Sequence, residues 1–227
     1  MTNMPLRIPI VALFLYFGGS MNTDHIHWFG QSAFRIEDGK MQIYLDPFQL
    51  PEHLPKADII FISHAHFDHF SPDDIARIRK ENTIIVAPKD VASKLAGHVV
   101  AVVPGQQYTV GTVKVETIPA YNLDKKFHPK ENKWVGYILT LSNGQRIYHA
   151  GDTDFIPEMR TVKTDIALLP CDGTYTMTAK QAANAANSIM PKLVIPMHWG
   201  GIVGAKSDAE EVKKLFKGDT EIKAKEE

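Results

Sequence analysis

The ten residues "FISHAHFDHF" (61–70) constrain this chain more than any other stretch. An apolar run of strand length, "ADIIFIS" (57–63), leads directly into histidines at 64, 66 and 69 and an aspartate at 68. A continuous apolar run of that length reads as a buried central strand. Imidazoles two residues apart at its end project the same way, so His64 and His66 can reach one cation. Asp68 and His69 follow where the chain turns toward the next helix, and point at a neighbouring spot. Four nitrogen and oxygen donors on one loop suit one or two divalent ions, zinc being the usual partner of imidazole. The competing reading, a polar surface loop, is a poor account of histidines packed this closely.

Composition narrows the metal chemistry. Cys171 is the only cysteine, which excludes an intramolecular disulfide and a thiolate zinc cluster. The net charge of −1 gives no support to nucleic-acid binding, which needs a basic surplus. At 227 residues and 44% hydrophobic, the chain can bury a substantial core. The apolar run "IPIVALFLYF" (8–17) is shorter than the roughly 20 residues a bilayer span needs. It admits three readings: a signal peptide ahead of Gly18, Gly19 and Ser20, a start actually at Met21, or an ordinary strand. The expected location is the cytoplasm, or outside it if residues 1–20 are a cleaved leader, with no stable membrane span.

From residue 21 onward no linker or composition break divides the chain, and 21–227 are expected to form one domain. "HIHWFG", "SAFRIE" and "MQIYLDPF" read as strands of a meandering sheet. "SPDDIARIRKE" reads as a helix with Ser71 as N-cap, Pro72 at its first position and acids in the first turn. "TIIVAP", "VVAVV", "QYTV", "TVKVETI" and "DIALLP" are further strands, with "DVASKLAG" a short helix closed by Gly97. "WVGYILTLSNGQRIYHAGD" is a hairpin turning at Asn143-Gly144. "MTAKQAANAANSIM" is an alanine-rich helix capped by Thr178, "KLVIPMHWG" a strand ending at a histidine, and "SDAEEVKKLFKG" a capped amphipathic helix. The tail "DTEIKAKEE" is expected to be solvated. This order predicts an α/β domain with sheets between helical layers.

His-x-His-x-Asp-His after a strand resembles the metallo-β-lactamase superfamily of metal-dependent hydrolases. Three more motifs occur in that family's order: Asp46 in "IYLDPF", Asp152 in "YHAGDTD" and His198 in "IPMHWG". The resemblance covers His25 to about Lys217. Its finer detail ("WFGQSAF", "LLPCDGTYTMTAKQAANAA", "IPMHWG") is similar to the ascorbate-6-phosphate lactonase-like and uncharacterised metal-dependent hydrolase branch. It implies an αββα sandwich of two mixed β-sheets flanked by helices. It also implies two divalent ions, zinc first, with manganese or iron as alternatives. In that scheme Asp46 orients the metal loop and Asp152 bridges. His64, His66 and a further residue hold one ion, while Asp68, His69 and His198 hold the other.

The chain departs from the family pattern twice. Gln31 stands where relatives often have histidine. Asn122 in "IPAYN" stands where the third histidine of the first metal usually lies, and His128, six residues on, is the preferred substitute because a neutral amide is a poor zinc ligand beside imidazole. His149 is either a residue orienting a ligating carboxylate or a packed strand histidine, and His25 and His27 read as strand histidines outside the cluster. Trp134 and Trp199 read as cleft walls or core. Asp68 is the expected proton carrier and Tyr175 a candidate oxyanion donor. Lys125, Lys126 and Lys130 flank His128 and suit an anionic small-molecule substrate or simply a solvated loop. The implied activity is hydrolysis of a small-molecule ester, lactone or phosphodiester by water activated at a dinuclear site. Two other classes use the same residues: a metal-binding scaffold or sensor that has lost turnover, and an oxygen-reducing di-iron protein. Oligomeric state is not legible in these motifs.

Overall fold

The computed structural model describes residues 21–227. The apolar run at 8–17, with its three readings, lies outside the described residues. Six strands form one sheet in sequential order: β1 (Ile26–Trp28), β2 (Phe34–Asp38), β3 (Met41–Leu45), β4 (Ile59–Phe61), β5 (Ile84–Pro88) and β6 (His98–Val102). It is antiparallel from β1 to β3 and parallel from β3 to β6. The second sheet comprises β7 (Gln107–Val110), β8 (Val113–Pro119), β9 (Val135–Thr140), β10 (Arg146–His149), β11 (Ile166–Pro170), β12 (Leu193–Met197) and β13 (Asp219–Thr220). It is antiparallel from β7 to β10 and parallel from β10 to β13. The helices are α1 (Pro72–Ile78), α2 (Lys89–Ala92), α3 (Ala179–Ile189) and α4 (Lys206–Leu215).

Strand alternation builds the layers. Ile43, Leu45, Ile59, Phe61 and Val86 share a core with Tyr137, Leu139 and Leu168 of the other sheet. Their neighbours Tyr44, Ile60, Ile62, Ile85 and Ala87 point the other way, against Ile75 and Ile78 of α1 and Val91 of α2. Successive side chains on a strand face opposite sides, so the apolar runs of β3, β4 and β5 supply both faces at once. The alanines of α3 pack on the far side of the second sheet. This is the αββα sandwich expected of the sequence.

Two local expectations need correction. The tail is tied to the fold along its length, although residues 224–227 stay exposed: the Thr23 hydroxyl donates to Glu221 at 2.6 Å, Ile222 packs on the core, and the Glu226 N–H donates to the Trp28 carbonyl. Its Ile222 and Ala224 alternate with charged residues, which is enough for a segment held mostly by backbone pairing. The last helix starts one residue before "SDAEEVKKLFKG", and its start is closed by the Asp208 carboxylate accepting the Ala205 N–H. Among the described residues no helix is long and apolar enough to cross a membrane.

Candidate metal centre

Parallel strands release their side chains at one edge of the sandwich, and the predicted donors leave from those ends. Asp46 follows β3 in a left-handed conformation, φ 44°, a region that non-glycine residues enter rarely. Its carboxylate accepts the Ser63 N–H (2.7 Å) and hydroxyl (2.6 Å) and lies 2.7 Å from His69 Nδ1. A carboxylate only accepts, so His69 donates from Nδ1, and in its neutral form Nε2 carries the free lone pair. The Ser63 hydroxyl, committed to Asp46, in turn accepts from His64 Nδ1 at 2.9 Å. His198, after β12 at φ 61°, places Nδ1 3.0 Å from Asp172. His128 Nδ1 lies 3.0 Å from the Asn122 amide oxygen, which also accepts the His128 N–H. The imidazoles of His64, His69 and His128 are thus hydrogen-bonded at Nδ1, while His198 Nδ1 lies beside Asp172 as a close ion-pair contact without a hydrogen bond; support of this kind at Nδ1 fixes tautomer and ring direction in metal-ligating histidines.

These nitrogens converge. The ligand atoms of His64, His66 and His128 lie within 4.8 Å of one another, and so do those of Asp68, His69 and His198. Asp152 sits between the groups: Oδ2 is 3.3 Å from His128 Nε2 and 3.2 Å from His198 Nε2, and Oδ1 is 3.3 Å from His69 Nε2. Asp68 Oδ2 is 3.4 Å from His198 Nε2 and 3.6 Å from His69 Nε2. Trp134 covers the first group, its ring centroid 4.9 Å from His64 and 5.0 Å from His66. Gly151, at φ 62°, makes the turn into Asp152; a Cβ there would lie 3.0 Å from Ser63 Cβ and 3.1 Å from the Val135 carbonyl.

The electrostatics test whether cations fit. Despite these short distances, Nε2 of His69, His128 and His198 and Oδ1 of Asp152 are buried without hydrogen-bond partners. Buried orphans of this kind are costly, and bound metal would satisfy them. Burial pushes the His69 pKa down, but Asp152, Asp46 and Asp68 outweigh it and raise it to about 10. His198 follows the same pattern: burial opposes, and Asp152, Asp172 and Asp68 lift it well above the usual imidazole value. Burial, then His69, holds His64 well below its ordinary value. Burial would raise Asp68, but His69 and His198 bring it to about 2. Without a metal the centre balances its carboxylates with protons on His69 and His198, so its field is built for positive charge. The donors are imidazole and carboxylate only. Cys171 is buried with its sulfur on the Met197 carbonyl, and burial raises its pKa.

The remaining candidates divide clearly. Asn122 spends its amide oxygen on the His128 N–H and Nδ1, and its amide nitrogen donates to the Tyr175 carbonyl. Tyr175 stacks edge-on against Phe127 at 4.7 Å, beside the His128 loop. His149 is buried, with Nε2 on the Ser32 carbonyl and Nδ1 accepting the Gly151 N–H; it secures the backbone before Asp152. His25 pairs with Gln145 and His27 with Glu226, away from the cluster. Lys125 is neutralised by Asp154 at 2.6 Å, and Lys130 bonds Glu158 and Tyr121. Trp199 is buried against Trp28. Asp172 and Ser63 were not among the predicted site residues. Asp172 carries the same signal as Asp46 and Asp152, an acid within three residues of the end of a buried strand.

The family described as Beta-lactamase superfamily domain matches residues 25–198. The chain belongs to the metallo-β-lactamase superfamily. A Thermococcus onnurineus protein described as a metal-dependent hydrolase is 33% identical over 214 residues, 87% of this chain and 94% of the relative. A similarly described protein of Pyrococcus abyssi is 34% identical over 208 residues, 84% of this chain and 91% of the relative. Among solved structures, a metal-dependent hydrolase from Parabacteroides distasonis aligns with a TM-score of 0.79 at 37% identity, covering 87% of this chain and 91% of that one. The chain is accordingly a metal-dependent hydrolase of this superfamily, with His/Asp groups able to bind metal.

Proposed function

We propose that the protein hydrolyses an ester, lactone or phosphodiester of a small molecule at a dinuclear centre, zinc being the first choice of metal, with manganese or iron suited to the same donors. His64, His66 and His128 would hold one ion, Asp68, His69 and His198 the other, and Asp152 both. The observation that carries this reading is Asp152, whose two oxygens face Nε2 atoms from both groups while one of them has no hydrogen bond. Two divalent cations there would supply a water nucleophile near neutral pH and polarise the scissile group.

The chain's own residues do the rest. Asp46, Ser63, Asn122 and Asp172 aim the imidazoles, so little reorganisation accompanies reaction. The Asp68 side chain is 12% exposed against 3% for Asp152, 1% for Asp46 and 0% for Asp172, which makes it the centre's most accessible carboxylate and its proton carrier. Tyr175 at the lip is the candidate donor to the substrate's developing negative charge.

Elemental analysis tests the metal count, and a panel of p-nitrophenyl ester, lactone and bis-p-nitrophenyl phosphate tests the bond. Two equivalents per chain in wild type, one in His128→Ala, and activity against a panel member removed by Asp152→Asn are expected. One equivalent or less in wild type, unaltered in His128→Ala, overturns the dinuclear assignment.

A further inference from the structure

Beside the metal centre lies a second cavity of about 290 Å³, at the small end of the roughly 300–1,000 Å³ typical of small-molecule sites. Its lining includes Trp28 and Trp199, ring centroids 4.6 Å apart and only 3% and 8% exposed, together with Phe48. Both indole N–H groups are committed, Trp28 to the Gln31 carbonyl and Trp199 to the Pro196 carbonyl, each at 3.0 Å. The rings are therefore locked and turn only apolar surface to a ligand, which reduces the ordering cost of binding.

The polar lining has one sign. Lys206, Lys223 and Lys225 contribute, and no aspartate or glutamate does. Lys223 is spent on Glu221 at 3.0 Å. Lys225 makes no ion pair among the described residues, and its stem lies against Gly30, where a Cβ would come within 3.3 Å of it. Lys206 has only an exposed contact with Glu210 at 3.9 Å, an arrangement worth little. Gln31 forms the partition with the metal centre: it lines the cavity, accepts the Ile202 N–H, and brings its amide nitrogen to 3.4 Å from Asp68.

We propose that this cavity binds one small, planar, apolar anion per chain, an aromatic carboxylate, sulfonate or phosphate. The ring lies on Trp28 and Trp199, and the acidic group is held by Lys206 and Lys225. Two sources share that chemistry, the non-reacting end of the hydrolysed substrate and a separate small ligand. Only the first rests on the hydrolytic reading; the binding itself does not.

Calorimetry with naphthalene-2-sulfonate and its neutral counterpart 2-naphthol, on the full chain before and after chelation of metal, tests the proposal without requiring turnover. One saturable sulfonate site per chain is expected, retained after chelation. Lys206→Glu/Lys225→Glu should weaken the sulfonate roughly tenfold while leaving 2-naphthol unchanged. Ala224→Trp, a substitution at an exposed lining residue, should block both with circular dichroism unaltered. Absence of saturable binding, equal affinity in wild type and both variants, or loss of the site on chelation overturns the proposal, the last by assigning the sulfonate to the metals. Once a hydrolysed substrate is in hand, competitive inhibition by the sulfonate identifies the cavity with the substrate's non-reacting end, and non-competitive inhibition with a separate ligand; both support it.

Discussion

Asn122 holds His128 twice, through its backbone N–H and through Nδ1, and is itself fastened to the Tyr175 carbonyl. A residue that aims a ligand is predicted to tune affinity without abolishing the site. On the dinuclear reading proposed above, Asn122→Ala should keep the full metal complement at saturation but weaken the ion held by His128 by about 10–100-fold, the range for groups supporting a ligand. His128→Ala should lose that ion outright, and competition with a fluorescent chelator separates the two. Equal affinity in Asn122→Ala and wild type would show that His128 needs no such support. Asp172 acts likewise on His198 and also accepts the N–H groups of Thr174 and Tyr175. Asp172→Ala should weaken the second ion by a similar factor and loosen the Tyr175 loop. A second ion unaffected by that change would place His198 under other control.

The strand ends explain why so much of the centre is visible before folding. Asp46 and His198 follow β3 and β12 at once, and His64 and Asp152 come three residues after the ends of β4 and β10; parallel strands bring such positions to one edge, so type and spacing identify them together. Asn122 and His128 sit instead in a loop between β8 and β9. Which of the two reaches the metals depends on how that loop closes, and local pattern does not encode it. The packed tail was hidden for a related reason, because its partners Thr23 and Trp28 lie about two hundred residues away in sequence. Helix ends are more local. Thr178 accepts the Gln181 N–H, and the Gln181 side chain accepts the Thr178 N–H, a reciprocal cap at the start of α3. Thr178→Ala should cost about 1 kcal/mol in chemical denaturation. Although α3 follows the Asp172 loop directly, the Thr178 hydroxyl bonds only Gln181 among the described residues, so metal content should be unchanged; a loss of metal would tie the cap to the site.

Across the whole molecule, two sheets converge on one buried cluster of carboxylates and imidazoles, so metal binding and protonation are coupled. In the metal-free protein His69 is raised to about 10 and His198 well above its ordinary value, while burial keeps His64 and His66 below theirs. At pH 7 the first pair carries protons and the second pair does not. Cations compete with the protons on His69 and His198, so loading at neutral pH should release about two, with apparent affinity rising about tenfold per pH unit for each proton displaced. The sign follows from the direction of the shifts. A group whose folded pKa is raised contributes its stabilisation below its unfolded value, near 6.5, and loses it as the pH climbs toward 10. The metal-free protein therefore loses the His69 contribution up to about pH 10, and the His198 contribution above its ordinary value, over the range in which metal binding tightens, and chelation should lower the melting temperature more at pH 9 than at pH 6.5. Titrating metal into the chelated protein in two buffers of different ionisation enthalpy counts the protons directly. Heats independent of buffer would mean that His69 and His198 are already neutral without metal, and that the carboxylates around them are balanced in another way.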